Sequence, residues 1–284
     1  DETLKNLGFA INIQKEFCFI LKVAVSWIFF NVLTCPVVTL YHFSNLEKIT
    51  QIPVIVVVYH GYHVNLLIFV KFFLLINHMR LRFKSINKVL TNFLRSHTKN
   101  MTQEGTNDRW ASSVQKNLEL DFLCNVGRVH LELGKLCRIT TTVYGTPLAF
   151  TTIGFFVNII GSLYCQYLGL IKENSNIYEI MLSIVITLIW IVPFCLSFLS
   201  VNYICKETVN EWKQTGVILD KLELESKNTE IQTEIGNFSA QVQRNTLKFS
   251  PCGFFDLDFY FVRDFTAAVA TYLVIMLQTL SSEN

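Results

Sequence analysis

The residues whose types and spacing could do chemistry lie first along the last apolar stretch of the chain, 259–280. Asp264, Ala267 or Ala268, Thr271, Ile275, Gln278 and Ser282 recur at steps of three and four, which puts them on one helical face. The other faces carry Leu, Val, Ile, Phe and Tyr. A helix this long, at a rise of ~1.5 Å per residue, covers a hydrocarbon core of about 30 Å. One thin wet stripe on such a helix suits the lining of a water-filled pathway. Small residues that let neighbouring helices pack closely leave the same pattern. Periodicity admits both.

A second group sits inside another apolar stretch, where Tyr59, His60, Gly61, Tyr62, His63, Asn65 and Lys71 interrupt residues 52–76. Polar side chains at membrane depth are costly and face a cavity or a partner. His60, His63 and Asn65 therefore line a ligand pocket or make interhelical hydrogen bonds. His60-x-x-His63 has the spacing of a helical metal pair, but no third ligand stands near it, so no metal site is expected. Asn158, Tyr164, Thr187 and Trp190, in two further stretches, are added to the candidate pocket, although Trp and Tyr also serve as membrane-belt residues. No P-loop, GxGxxG, GxSxG, HExxH or paired-carboxylate arrangement occurs, so enzyme chemistry has no foothold and no cofactor is expected.

The elements that must position these residues are membrane helices. Of the 284 residues 51% are hydrophobic and only 16% are charged, against about 25% charged in ordinary soluble domains. Mean hydropathy is +0.38. Five stretches read as spans: 17–41, 52–76, 139–170, 177–204 and 259–280. The formal net charge of +2 does not point to a nucleic-acid partner. The eight cysteines have no CxxC pair or zinc spacing and read as scattered reduced thiols, mostly in or beside apolar segments. Sequons at Asn100 and Asn237 fall in segments expected to be cytosolic, so neither is expected to be glycosylated.

Of the 24 lysines and arginines, 19 fall in segments 1–16, 77–138 and 205–258, with Arg80, Arg82, Lys84 and Lys88 directly after the second span. The positive-inside rule then places the N-terminus in the cytosol and the C-terminus outside. Pro36 bends the first span, and Pro53 opens the second. Asn176 with Glu179 forms a capping-box pattern at the start of the fourth. Residues 96–108 read as a polar loop. After it, Trp110, Val114, Leu118, Phe122, Val126, Val129, Leu133 and Leu136 recur at three and four, predicting an amphipathic helix that runs into the third span. Matching stripes follow, Val209, Trp212, Gly216 and Leu219, then Ile231, Ile235, Phe238 and Val242. Together they predict an intracellular helical layer.

The run Thr271-Tyr272, five apolar residues, Gln278 resembles the terminal signature of insect gustatory receptors, and Cys252-Gly253-Phe254-Phe255-Asp256-Leu257-Asp258 is similar to that family's approach to the last helix. Thr279 stands where the family usually has Phe. The resemblance implies an all-α polytopic membrane protein: five transmembrane helices of a seven-helix, inverted-topology receptor, plus an intracellular helical anchor. The chain begins with Asp1 rather than Met and is expected to be the C-terminal part of such a receptor. Its parts would be 1–95 (family helices three and four), a polar loop 96–108, then 109–250 with cytosolic helices and two spans. The pore-lining helix and a short tail would occupy 251–284.

The implied activity is that of a ligand-gated cation channel in the plasma membrane of sensory dendrites, a homo- or hetero-tetramer bathed in membrane lipid and detecting a small-molecule tastant. Gln278, Ile275, Thr279 and Thr271 would form the pore and gate, and Thr271, Tyr272 and Gln278 carry the signature. Asp264, with Asp256 and Asp258, either draws cations to the inner vestibule or simply suits a helix N-terminus. Sugar-type members carry Glu after Thr-Tyr, where this chain has Leu273, which favours a non-sugar, bitter-type tastant. A heptahelical receptor coupled to a G protein and a membrane transporter are the alternatives.

Overall fold

The structure is a computed structural model that describes residues 48–101, 109–171, 177–226 and 228–283, together with Cys18, Lys22, Val25 and Ser26. Side chains within these segments are described for 60–96, 116–170, 177–226 and 228–279. The first predicted span, with Pro36, lies largely outside the described residues, as do Cys35, Asn176 and Ser282's side chain.

Among the described residues five α-helices follow one another: α1 Lys48–Met101, α2 Arg109–Ile171, α3 Ile177–Glu225, α4 Thr229–Arg244 and α5 Phe259–Glu283, with a short 3-10 turn at Pro251–Gly253 before α5. No strand occurs among the described residues. Four helices, all but α4, carry an apolar stretch long enough to cross a membrane. The first three have 54, 63 and 49 residues. Even the shortest of these is about 74 Å long at ~1.5 Å per residue, more than twice a bilayer core of ~30 Å. The second, third and fourth predicted spans are therefore each one unbroken helix with their charged extensions. The loop expected at 96–108 begins later, because α1 stays helical to Met101. Pro147 and Pro193 sit inside α2 and α3 without ending them.

The chain forms two compact units. Among described residues, unit one comprises Leu75–Val143 and Ile204–Phe249, and unit two comprises 48–74, Tyr144–Tyr203 and 250–283.

In unit one the predicted stripes of α3 and α4 are realised: Trp212, Gly216 and Leu219 are buried, as are Ile231, Ile235, Phe238 and Val242. The face of α2 follows the apolar reading in part: Val126 and Leu133 of the predicted stripe are buried, and Phe122 and Val129 are half-buried. Leu118 and Leu136 are exposed, whereas Leu123, Val126, Gly127, His130, Leu133, Gly134 and Cys137 are buried. The reason is the bulk opposite. Trp212 lies so close to Gly134 that a Cβ there would meet the indole ring at 2.6 Å. The Trp212 indole N–H donates to the Val242 carbonyl at 3.3 Å, tying α3 to α4. Asn87 of α1 donates to the Glu211 carbonyl and carboxylate, both at 2.9 Å, and accepts from the Thr215 hydroxyl at 2.6 Å. That network satisfies three polar groups in a dry setting. Asn228 caps α4 by accepting from the Glu230 N–H at 3.1 Å.

The described cysteines are unbonded. Only Cys137 and Cys205 are fully buried, while Cys124, Cys165 and Cys252 are exposed, so fewer of them serve as core residues than their apolar neighbourhoods suggested. Burial pushes the Cys137 thiol up to about 12 and raises Cys205 as well, and Cys137 donates to the Met79 sulfur at 3.1 Å.

A methyl group at position 134 has nowhere to go. Gly134→Ala should lower the stability of the folded chain by about 1–3 kcal/mol through overpacking against Trp212, despite the better helix propensity of Ala. Gly154→Ala, where no atom lies within 4 Å of the added carbon, is the control and should be neutral or slightly stabilising. Thermal unfolding of the two variants in detergent separates them.

Candidate functional site

Two sets of side chains in unit two correspond to the candidate pocket and the candidate pore. The first is built around Tyr62 of α1. Its ring meets Trp190 edge-on at 4.3 Å and Phe194 at 4.9 Å, and its hydroxyl donates to the Trp190 carbonyl at 3.3 Å. His63 packs edge-on against Tyr62 at 5.3 Å, while His60 is exposed one turn earlier. Asn65 accepts from the Thr151 hydroxyl of α2 at 3.3 Å. Thr187, one turn before Trp190 on α3, accepts from the Gln166 side-chain amide of α2, which also reaches the Ser183 hydroxyl at 2.9 Å.

The structure thus joins Tyr62, His63 and Trp190 in one aromatic cluster, and ties Asn65 and Thr187 each to α2. Asn158 is not brought to them: it is exposed and accepts from Ser162 of its own helix at 3.3 Å. Tyr164 is half-buried. Tyr62, Thr151, Gln166 and Ser183 are polar residues of the spans that the sequence reading left out of the pocket. Their depth was visible in the sequence, but the partner across the helix interface was not. Among the described residues no three His, Cys, Asp or Glu side chains converge as metal ligands. What the cluster offers chemically is aromatic faces, one imidazole and amide groups, suited to a small uncharged or weakly polar molecule.

The second set is α5. Asp258 caps it, accepting from the Phe261 N–H at 3.0 Å. The preceding turn needs left-handed backbone at Gly253, where φ is +75°. One face of α5 is packed by phenylalanines. Phe261 stacks on Phe255 at 4.0 Å; Phe265 stacks on Phe155 at 5.7 Å and meets Phe198 at 4.8 Å. Further along, Tyr272 meets Phe156 edge-on at 5.6 Å. Each such pair is worth about 0.5–1.5 kcal/mol beyond its buried area.

The opposite face is bare. Asp264, Ala267, Thr271, Ile275 and Gln278 are all exposed, and so is Thr279; Ala268 turns partly inward, so Ala267 completes the stripe. Thr271 and Thr279 each donate a hydroxyl proton to the carbonyl one turn back, at 2.9 and 3.0 Å. Asp264 is not a bare anion, because Arg263 donates to its carboxylate at 2.8 and 2.9 Å, and both side chains are exposed.

Helices of this length and apolarity define a polytopic membrane protein. Residues 1–281 match the sequence profile of the 7tm chemosensory receptors, and the chain belongs to that family, the one that includes the insect gustatory receptors. It is similar to three proteins of Drosophila melanogaster. The gustatory receptor for sugar taste 43a is 24% identical over 59% of this chain and 38% of its own length. Putative gustatory receptor 2a is 23% identical over 60% of this chain and 44% of its own. The gustatory receptor for bitter taste 66a is 24% identical over 56% of this chain and 28% of its own. The matched region is less than half the length of each relative.

Within the aromatic cluster, packing should outweigh the hydrogen bond. Trp190→Ala removes the ring that faces Tyr62 and should cost about 3–5 kcal/mol, whereas Tyr62→Phe keeps the packing and should cost no more than about 1.5 kcal/mol. Melting of the detergent-solubilised chain would reveal a reversed order if the hydroxyl were the anchor.

Proposed function

We propose that this chain supplies the channel-forming part of a gustatory receptor, a ligand-gated cation channel that opens on binding a small-molecule tastant. The observation that carries the reading is the two-faced last helix: α5 is held from one side by Phe261 and Phe265 while Asp264, Ala267, Thr271, Ile275 and Gln278 stay bare on the other. Polar side chains at membrane depth are stable only against water or a partner. Four copies, identical or mixed, arranged about one axis would supply both: the stripes would enclose a single wet pathway and the phenylalanine faces would point away from it.

In this reading Gln278 sits at the gate and Ile275, one turn earlier, is the apolar constriction. Thr279 replaces an aromatic closure with a hydroxyl, so closure leans more on Ile275. Phe83, Trp212 and their neighbours in unit one would belong to the intracellular anchor, and the excess of lysine and arginine there favours the cytosolic side for it. The C-terminus would then lie outside, in the plasma membrane of sensory neurons. His63, Tyr62, Asn65, Thr187 and Trp190 are the residues proposed to meet the tastant. Relatives named for sugar and for bitter taste are each 24% identical to this chain over the matched part, so their names do not choose between tastants. Leu273, in the place of the Glu of sugar-type signatures, favours a non-sugar ligand.

The test is electrical. In excised membrane patches bearing the full-length receptor and lacking GTP, a panel of sugars and bitter compounds should evoke a cation current. Ile275→Ala should raise the resting current several-fold, and Gln278→Ala should change ion selectivity or conductance. A ligand response that requires GTP, or evoked currents identical in both variants, would place the pathway elsewhere than on α5.

A further inference from the structure

In unit one, four helices meet on a single titratable side chain. His130 of α2 is 1% exposed. Its ring lies 4.2 Å from Trp212 of α3, 5.1 Å from Phe83 of α1 and 5.6 Å from Phe238 of α4. Its Nε2 is buried and has no hydrogen-bond partner. Gly134, about one turn further along α2, lacks the Cβ that would meet Trp212 at 2.6 Å, and Gly127, about one turn earlier, lies in ordinary contact with Phe238. Aromatic carbon therefore surrounds the imidazole from three neighbouring helices.

The charged groups of those elements are engaged elsewhere or face outward. On α1, Arg80 donates to Asn77, Arg82 donates to the His78 carbonyl, and Lys84 is exposed. On α3, Glu211 accepts from Asn87, while Lys213 is exposed. On α4, Glu234 accepts from the Cys124 thiol. On α2 itself, Arg128 is exposed and Glu132 is paired with Lys135. No carboxylate among them is positioned to receive an imidazolium.

We propose that His130 is a proton latch: protonating its ring parts the aromatic contacts through which Phe83, Trp212 and Phe238 hold the helices of unit one together. An imidazolium in this site has lost its water and gained no counter-ion. The cation–π attraction of Trp212 offsets only part of that loss. Burial pushes the pKa of His130 down to about 3, against about 6.5 for a free imidazole. The neutral ring is thus fully in place above pH ~6.5, and its contribution is lost as pH falls from there towards 3. The first pH unit below ~6.5 shifts the balance about fivefold towards a state that opens the ring to water, and the next about tenfold. If unit one faces the cytosol, as proposed above, the trigger is intracellular acidification by membrane-permeant weak acids. The latch itself holds for either orientation.

Hydrogen exchange of the full chain in lipid nanodiscs, corrected for the intrinsic pH dependence of exchange, tests this directly. Amides of 126–137 and 209–216 should lose about fivefold in protection between pH 6.5 and 5.5, while 151–160 in unit two keep theirs. His130→Phe should abolish the loss, and His130→Met serves where Phe overfills the site. Unchanged protection of the two unit-one segments down to pH 5, or the same loss in either neutral variant, would overturn the latch.

Discussion

Much of unit one depends on one contact, the Trp212 indole lying against Gly134. An indole is the largest side chain a helix can present, and it is accommodated here only because α2 offers no Cβ at that position. Once seated, the same ring touches Phe83 and His130 and reaches the Val242 carbonyl through its N–H. One side chain thereby couples α1, α2, α3 and α4. The Asn87–Glu211–Thr215 network lies next to it in sequence and fixes the register of α1 on α3. Apolar mass supplies the cohesion, and the buried polar bonds select one arrangement of it.

Unit two follows a different economy. Its helices are aromatic where they meet and polar at a few paired points: Tyr62 with the Trp190 carbonyl, Asn65 with Thr151, Gln166 with Ser183 and Thr187. Between membrane helices the surrounding lipid is as apolar as Leu, so packing and hydrogen bonds, rather than expulsion of water, bring segments together. The phenylalanine face of α5 is the clearest case, since Phe155 and Phe198 grip it through Phe265 while none of the described residues covers its small and polar stripe. A helix so built is fixed on one side and available on the other.

The sequence reading and the structure part company where bulk decides. The stripe drawn through Leu118 and Leu136 follows hydrophobicity, yet α2 buries Gly127, His130 and Gly134 instead, because the facing aromatics need space more than additional apolar surface. The same limit applied to the candidate pocket. Depth and polarity alone single out His60, His63, Asn65, Asn158, Tyr164, Thr187 and Trp190. Asn158 instead bonds within its own helix, and Tyr62, at the same depth but outside that set, is the residue that meets Trp190.

Sequence alone determined the all-helical class, the four described spans, the paired stripes of α3 and α4 and the small and polar stripe of α5. Each is a one-dimensional regularity: an apolar run as long as a bilayer is thick, or a step of three and four, or a short signature. Tertiary structure decided which side chains meet across helices, that spans and their charged extensions are continuous, that Arg263 holds Asp264, and that His130 is buried among aromatic rings. Those outcomes rest on shape and distance between segments far apart in the chain, which no periodicity within a single helix encodes.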